Sequence, residues 1–443
     1  MKRLAWLILS PLLATPAFAT DLMQVYREAQ DNDPTFSAAR STLDAGREKL
    51  PQARAGLLPS LSLSGNTTWN ENKYAYASLP AYNGEPRFNS NGYQLTLSQP
   101  LFRWQNWVGY DQSKWQIAQA EANFVQARQD LILRVSQAYF DVLYATENLK
   151  AVGVNKAAIA QQLESAKKNF EVGTATITDT HEAQARYDLA VAQEIAAESD
   201  YEVKQRALQA IIGKEAGALA PTRKEASLKL PQPADMNAWV AAAEKDSITV
   251  QIQQANAEIA SREVDRQRAG HYPTVDLVAN LGHANTLAST TLGKVESDYQ
   301  NAGIQVSIPL FSGGLTSSRQ REAAANRNAA QAGLEAARRN AALSARQYYL
   351  GVTNGLAQVK ALKAALVSSQ SALESNKLGY EVGVRINIDV LNAENQVYVT
   401  RRDLAKATLD TLMAQLRLKA ATGSLGEEDV AEINALLDPS SAQ

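Results

Sequence analysis

The sequence contains no cysteine, and this absence excludes several kinds of protein at once. Without cysteine there is no disulfide framework, no thiolate metal site, no cysteine nucleophile and no lipid-anchored cysteine at a mature N-terminus. Histidine is scarce as well, since only His181, His271 and His283 are present and they lie far apart. The sequence therefore predicts no metal site and no other cofactor.

A surplus of positive charge is also missing. Lys and Arg number 44 against 46 Asp and Glu, a net charge of -2, so no basic excess is available to hold nucleic acid. The motifs of phosphate-binding loops, dinucleotide sites, serine hydrolases and zinc proteases are absent from the chain. We predict that the protein is not an enzyme, has no catalytic residue and binds no nucleic acid.

Long hydrophobic runs are absent beyond the N-terminus. A basic start is followed by a short apolar run at 4–13 and an A-x-A cleavage signal at 17–19, which predicts a signal peptide over 1–19. No other stretch reaches the roughly 18 to 20 apolar residues of a membrane-spanning helix. If this chain spans a membrane, it must do so as strands.

An internal repeat covers most of the mature chain. Asn169–Gly173 is answered by Gly379–Gly383, an offset of 210 (383 minus 173), and other matches occur at the same spacing. The sequence is therefore one unit duplicated. The predicted boundaries are a first structural repeat at 20–230, a second at 231–423 and a C-terminal segment at 424–443.

Each half contains two runs in which apolar and polar residues alternate, as Leu61 and Leu63 do with Ser62 and Ser64. A soluble sandwich shows the same alternation. Aromatic residues near the ends of the runs, long polar connecting segments and the signal peptide favour a membrane sheet instead. The predicted strands are at about 59–70, 92–102, 273–284 and 299–311, and the connecting segments are at 71–90 and 285–298.

Four strands cannot close a membrane barrel, because the smallest such barrels use about eight. Unpaired strand edges are too costly in lipid, so several chains must share one barrel. Two chains would supply eight strands and three would supply twelve, and the strand count does not choose between them.

The remainder is predicted to be helical. Heptad spacing and the lack of proline predict long helices from about 103 to 170 and from about 315 to 378. Returning helices are predicted at 179–212 and 389–422. The fold class is thus α+β, and heptads alone would equally fit a coiled-coil rod.

These features together resemble the TolC family of outer-membrane efflux and type I secretion channels over nearly the whole mature chain. The resemblance implies a homotrimer in which a twelve-stranded outer-membrane β-barrel continues into a long periplasmic α-helical barrel, with 221–233 and the tail from 427 as a belt around it. The residues that carry the resemblance are Asp31–Pro34, Leu57–Leu61, Gln99–Phe102, Tyr139–Leu143, Phe170–Asp179, Ile308–Gly314 and Tyr380–Leu391.

The resemblance also implies function and partners. The protein would be the exit duct of a tripartite efflux pump or type I secretion system in the outer membrane of a Gram-negative cell, in contact with outer-membrane lipid. Cargo would arrive from an inner-membrane transporter, either ABC-type or proton-driven, through a periplasmic adaptor protein. An alternative is a trimeric envelope-spanning adhesin or structural rod. Whether the cargo is small molecules, unfolded protein or both is open at this point.

The resemblance implies an acidic entrance to the helical tunnel at Asp389, where three subunits would place three carboxylates around one axis. Family members carry a second entrance aspartate, and here that position is Asn392, so a single acidic ring and weaker cation block are expected. The alternative role for Asp389 is structural, either as the N-cap of the returning helix or as a negative charge in its first turn.

The resemblance further implies a gate network that joins Tyr380 and Arg385 on one hairpin to Thr178 and Asp179 on the other. A capping box formed by Asp179 and Glu182 is an equally good account of that aspartate. The residues implied in adaptor contact lie at the two hairpin tips, and their glycines are also explained by helix termination. They are Val172, Gly173, Thr174, Val382, Gly383 and Val384.

Overall fold

The computed structural model describes residues 19–174, 176–223, 228–289 and 293–438. The predicted signal peptide falls almost wholly outside the described residues. The helices are α1 (Leu22–Asn32), α2 (Pro34–Arg47), α3 (Lys49–Ala55), α4 (Trp104–Glu171), α5 (Ile177–Ile212), α6 (Met236–Asp246), α7 (Ile248–Arg268), α8 (Leu315–Glu381), α9 (Asn387–Ala421) and α10 (Glu427–Asn434). The strands are β1 (Ser60–Glu71), β2 (Arg87–Phe102), β3 (Thr274–Ser289) and β4 (Gly293–Ser307).

The element order repeats itself. A helical segment, a strand hairpin, a very long helix and a returning helix follow one another in each half of the chain. The two very long helices, α4 and α8, contain no proline and are rich in alanine, so nothing interrupts their backbone hydrogen bonds. The helices α1 to α3, α6, α7 and α10 were not located individually by the sequence pattern.

The four strands form one antiparallel sheet in the order β1-β2-β3-β4. Leu63 is paired with Leu95, which is paired in turn with Leu281, so the alternating leucines fall on one face. Ile304 extends this face on β4. Because side chains alternate across a strand, the intervening polar residues all lie on the opposite face.

The apolar face of the sheet is exposed to its surroundings, with Leu63 73% and Ile304 65% accessible in the single chain. The opposite face is instead joined by side-chain hydrogen bonds. Gln94 donates to Asn280 at 2.8 Å, and Asn280 donates to Asn301 at 2.9 Å. An apolar outer face and a hydrogen-bonded polar face are the arrangement of a membrane-spanning sheet rather than of a soluble sandwich.

The number of strands matches the prediction, but the expected length of the second connection is wrong. The segment 285–298 was expected to be a polar loop, whereas β3 extends to Ser289 and β4 starts at Gly293. Alternation reveals only the part of a strand that meets an apolar environment. Beyond it, backbone pairing continues with polar side chains such as Asn285 and Glu296, which the pattern does not identify as strand.

The first hairpin also pairs further than expected, since β2 begins at Arg87 rather than near 92. Arg87 donates to Glu71 across the two strands at 2.8 Å and 2.6 Å. At the other end, β4 stops at Ser307 and not near 311. The residues that follow lead into Gly313 and Gly314, both with positive φ, where a strand cannot continue regularly.

The chain divides into two compact units. One comprises 40–124 and 249–337 and contains the sheet, and the other comprises residues up to 39, 125–248 and 338 onwards. In the second of these, Tyr139 is fully buried, and its hydroxyl donates to the carbonyls of Ala220 at 2.9 Å and Thr20 at 3.2 Å.

The first and last described segments of the chain, at 20–21 and 434–438, meet in the same unit. The amide of Arg223 donates to the carbonyl of Leu436, and that of Asp438 donates to Pro221, so the segment after α5 pairs with the segment after α10. Asn434 of α10 donates to Asp21 at 3.0 Å. In the described part of the chain, no helix is both long enough and apolar enough to cross a membrane.

Candidate functional site

The two helical hairpins end in the same turn. Gly173 and Gly383 both adopt a left-handed conformation, with φ of 78° and 77°. In the first hairpin the amide of Thr174 donates back to the carbonyl of Asn169, and in the second Val384 donates to Gly379 in the same way. Glycine is suited to both positions because a left-handed backbone is strained for residues with a Cβ.

The residues implied in adaptor contact are placed on the surface of these turns. Val172, Val382 and Val384 are 73%, 65% and 76% accessible in the single chain, while their neighbours Gly173 and Thr174 are also exposed. Exposed valines at a turn contribute nothing to the core. The tips therefore present apolar surface that no described part of this chain covers.

The first returning helix, α5, begins with a capping box. Its N-cap is Thr176, whose hydroxyl accepts from the amide of Asp179 at 3.3 Å. The carboxylate of Asp179 accepts from the amide of Thr176 at 2.9 Å. A capping box was foreseen, but its expected pair of Asp179 and Glu182 is wrong by one turn, because Asp179 is the third helical residue and not the cap.

The second returning helix, α9, begins differently. Its N-cap is Ile386, which offers no side-chain acceptor, and Asp389 lies in the first turn. The N-cap role considered for Asp389 is therefore wrong, whereas the alternative of a first-turn charge is what the structure has. Arg385 Nη1 lies 3.6 Å from Asp389 Oδ2, so the carboxylate also forms an ion pair.

The four residues predicted for the gate are not joined to one another within the described part of one chain. Arg385 is paired with Asp389, and Asp179 is bonded to Thr176. Thr178 is exposed on the first turn of α5. A network between these hairpins stays a prediction.

Tyr380 does connect the hairpins, through a partner that sequence reasoning missed. Asn169 Nδ2, on α4, donates to Tyr380 Oη, on α8, at 3.2 Å. Asn169 is the repeat equivalent of Gly379, so the two halves differ at this position. A Cβ at Gly379 would lie 2.7 Å from Cγ of Arg385, and the glycine thus gives the arginine room to lie across α8.

Asn392 has a partner on the other hairpin too. Arg186 Nη2, on α5, donates to Asn392 Oδ1, on α9, at 2.9 Å. The backbones at this point are held by a small apolar cluster of Ile159, Ala190 and Leu391. Arg186 carries no motif, and its contact spans 206 positions, so no local signal could have found it.

Ion pairs support the helices behind the tips. Lys156 on α4 donates to Glu194 on α5, and this hydrogen bond raises the pKa of the lysine. Lys377 on α8 bonds to the buried Glu394 on α9 at 2.9 Å. Each long helix is thereby tied to its returning helix. No group of side chains suited to a metal ion occurs among the described residues.

Comparison with known proteins gives a consistent result. The family model of the outer membrane efflux proteins matches residues 25–214 and again 239–424. The outer membrane protein TolC of Vibrio cholerae is 32% identical over 98% of both chains. The alkaline protease secretion protein AprF of Pseudomonas aeruginosa is 31% identical over 95% of this chain and 88% of its own.

Solved structures share the fold. The outer membrane protein VceC of Vibrio cholerae matches with a TM-score of 0.77 at 20% identity, over 91% of this chain and 96% of that one. The Campylobacter jejuni CmeC outer membrane channel matches with a TM-score of 0.79 at 17% identity, over 94% and 90%.

The chain belongs to the outer membrane efflux protein family. Its fold is the α+β fold of the outer-membrane channels, with four strands per chain and long periplasmic helices. The protein is an exit duct of the outer membrane, and its family is one of channels and not of enzymes. The adhesin or rod alternative is thereby set aside.

Proposed function

We propose that the protein works as a homotrimer whose twelve strands close one barrel. The single observation that carries this proposal is the sheet itself, in which β1 and β4 are the edges and one face is apolar and accessible. Edge strands in a hydrocarbon layer must find partners, since unpaired backbone groups there are costly. Two chains or three would close the sheet without leaving an edge, and membership of the outer membrane efflux protein family favours three.

Light scattering of the detergent-solubilised protein tests the stoichiometry. We expect a mass of three mature chains after correction for detergent. A mass of two chains would give an eight-stranded barrel and would overturn the trimer.

We further propose that two equivalent repeats, 20–230 and 231–423, form each subunit and that 424–443 belongs to a belt with 221–233. The recurrence of strand hairpin, long helix and returning helix supports the duplication. The antiparallel bridge of Thr222 with Leu437 supports the belt. Residues 439–443 lie outside the described part of the chain.

The entrance is proposed at Asp389. In a trimer with the hairpin tips around one axis, three such carboxylates would converge and attract cations, multivalent ones most strongly. Asn392 supplies no second charge, so only one acidic ring is expected. The position of Asp389 in the first turn of α9, half-exposed beside Arg385, supports its availability to the pore.

Single-channel recording in a planar bilayer tests the entrance. We expect discrete conductance steps that lanthanum(III), added on the helical side, blocks in the unmodified protein and blocks more weakly in Asp389→Ala. Asp410→Ala is the matched control, because that carboxylate lies about six turns further along α9 and accepts from Lys406 of its own helix. Equal block of all three proteins would overturn the acidic entrance.

We propose that the tips bind a periplasmic adaptor, which connects the duct to an inner-membrane transporter of ABC or proton-driven type. The exposed valines at both turns support this contact surface. Two relatives are named for protease secretion, AprF and the PrtF protein of Dickeya chrysanthemi, the latter 30% identical over 95% of this chain and 91% of its own. Type I secretion of protein is therefore proposed beside efflux.

Cysteine cross-linking tests the adaptor contact, and the chain is suited to it because it has no cysteine of its own. Val172→Cys and Val384→Cys, labelled with a photoactivatable maleimide in cells, should yield a product of duct plus adaptor. Val367→Cys is the control, since Val367 is 65% accessible on α8 but distant in sequence from the turn. Equal yields at all three positions would contradict specific docking at the tips.

A further inference from the structure

Asn392 stands where the family resemblance implies an aspartate. Its side chain is hydrogen-bonded to an arginine, and this contact indicates how the substitution changes the charge at the entrance. Its side-chain oxygen accepts from Arg186 Nη2 at 2.9 Å, so the amide holds a guanidinium that comes from the other hairpin. A guanidinium stays protonated at every physiological pH. The position that would have carried a second negative charge therefore has a positive charge beside it.

The helices on either side of the Arg186–Asn392 bond pack against each other. Tyr187, the next residue on α5, and Ile388 of α9 both pack against the cluster of Ile159, Ala190 and Leu391. This cluster joins α4, α5 and α9 directly behind the Arg186–Asn392 bond. The helices that carry Arg186 and Asn392 are therefore fixed against each other, and the hydrogen bond between the two side chains places the guanidinium at Asn392.

The distance to the proposed acidic ring is short. Asp389 and Asn392 are three residues apart on α9, and residues with this spacing are neighbours on one face of a helix. The Arg186 guanidinium at Asn392 thus lies about one helical turn from the Asp389 carboxylate. The Debye length is about 8 Å at physiological salt, so charges one helical turn apart are not fully screened from each other. Both charges therefore act on the same permeating ion.

We propose that Arg186 is a specificity-determining residue of the duct, which adds to each subunit a positive charge beside the entrance pair of Asp389 and Arg385. This inference rests on the proposed entrance at Asp389. In a trimer, the three guanidiniums of Arg186 add to the three of Arg385 around three aspartates, so the constriction admits anionic cargo and anionic segments of cargo that a ring of six carboxylates would repel. Asn392 is the neutral acceptor that holds Arg186 without neutralising it.

The test measures the ratio of potassium to chloride permeability from the reversal potential of single channels in a salt gradient. Arg186→Gln removes the charge and keeps a hydrogen-bonding side chain, and we expect it to raise the ratio by about threefold or more. Arg186→Lys restores the charge and should return the ratio to that of the unmodified protein. Arg206→Gln, deeper on α5 where Arg206 pairs with Glu215, should leave it unchanged.

A double-mutant cycle distinguishes an electrostatic role of Arg186 from a purely structural one, because only an electrostatic role makes the permeability ratio depend on the charge at position 392. Asn392→Asp alone should raise the ratio little, because the new carboxylate is neutralised by Arg186. The same substitution combined with Arg186→Gln should raise it by more than the two single changes together. An unchanged ratio in Arg186→Gln, with a lowered ratio in Asp389→Ala, would overturn the role of Arg186 alone. An unchanged ratio in both would overturn the entrance and this inference together.

Discussion

The two halves of the chain build the same turn at their helical tips and then start the returning helix in different ways. After Gly173, the helix α5 is capped by the neutral hydroxyl of Thr176 and the carboxylate of Asp179, which belong to one four-residue segment. After Gly383, the helix α9 has Ile386 at its N-cap and relies on the ion pair of Arg385 with Asp389.

The difference has a mechanical consequence. A capping box is local and forms two hydrogen bonds between residues three positions apart. An exposed ion pair at 3.6 Å contributes only about 0 to 1 kcal/mol and weakens as ionic strength rises. The start of α9 is therefore the more easily opened of the two, and gating motion is expected in the second hairpin and not in the first.

The opposite ends of the long helices differ as well. In the first half, Arg103 at the start of α4 forms a two-pronged bond to Asp276 on β3, with both distances 2.7 Å. In the second half, Gly313 and Gly314 precede α8, and both have positive φ. One strand-to-helix junction is fixed by an ion pair with a buried carboxylate, whereas the other turns at two glycines and has a neutral hydrogen bond between Ser312 and Thr316 at 3.0 Å.

The largest expected effect comes from breaking the fixed junction. Asp276→Ala leaves Arg103 without its partner, and we expect a loss of about 2 to 3 kcal/mol of stability. Thermal unfolding of the detergent-solubilised protein, followed by circular dichroism, measures it. Asp298→Ala, on the next strand and largely exposed, is the control and should cost little. Equal transition temperatures for the two variants would show that the junction is not held by this pair.

The shared turn predicts equal effects in the two hairpins. Gly173→Ala and Gly383→Ala would each place a Cβ in open space, so the cost is backbone strain alone, about 1 to 2 kcal/mol. Hydrogen exchange of the tip amides measures this local opening. Gly109→Ala, in the second turn of α4 and also with open space around the added Cβ, should instead stabilise its helix slightly. If the two substitutions changed the hydrogen-exchange rates at the two tips by different amounts, the turns would not be equivalent.

Substitutions at the two N-caps should have smaller effects on local stability, and the two effects should be opposite in sign. Thr176→Ala should destabilise the first turn of α5 by about 1 kcal/mol. Ile386→Thr should stabilise the first turn of α9 by a similar amount, because Asp389 already occupies the position that completes a capping box. Hydrogen exchange of these two turns is the measurement. Faster exchange in α5 than in α9 of the unmodified protein would reverse the comparison.

Much of this architecture follows from the sequence. Strand alternation, heptads and the repeated Val-Gly turns are local patterns, so the four strands, the long helices and the tips at Gly173 and Gly383 were all predictable. The capping box also had a local signal, since Thr176 and Asp179 stand three positions apart. The predicted box was placed one turn too late because Asp179 itself was taken as the cap.

The remaining contacts were not predictable, and the reason is physical. Arg103 and Asp276 are 173 positions apart, and Asn169 and Tyr380 are 211 apart. Such pairs depend on how helices and strands pack, which leaves no periodicity in either segment. The outer ends of β3 and β4 were missed for a related reason, since polar residues can pair as strands without showing alternation.

Single-channel recording at rest tests most directly whether the second hairpin is the gate. Arg385→Ser combined with Tyr380→Phe removes the ion pair at Asp389 and the bond from Asn169. Thr176→Ala disturbs the first hairpin by at least as much energy. We predict that the double variant raises resting conductance and that Thr176→Ala leaves it at the level of the unmodified protein. Unchanged conductance in the double variant, or an equal rise in both, would contradict the assignment of the gate to the second hairpin.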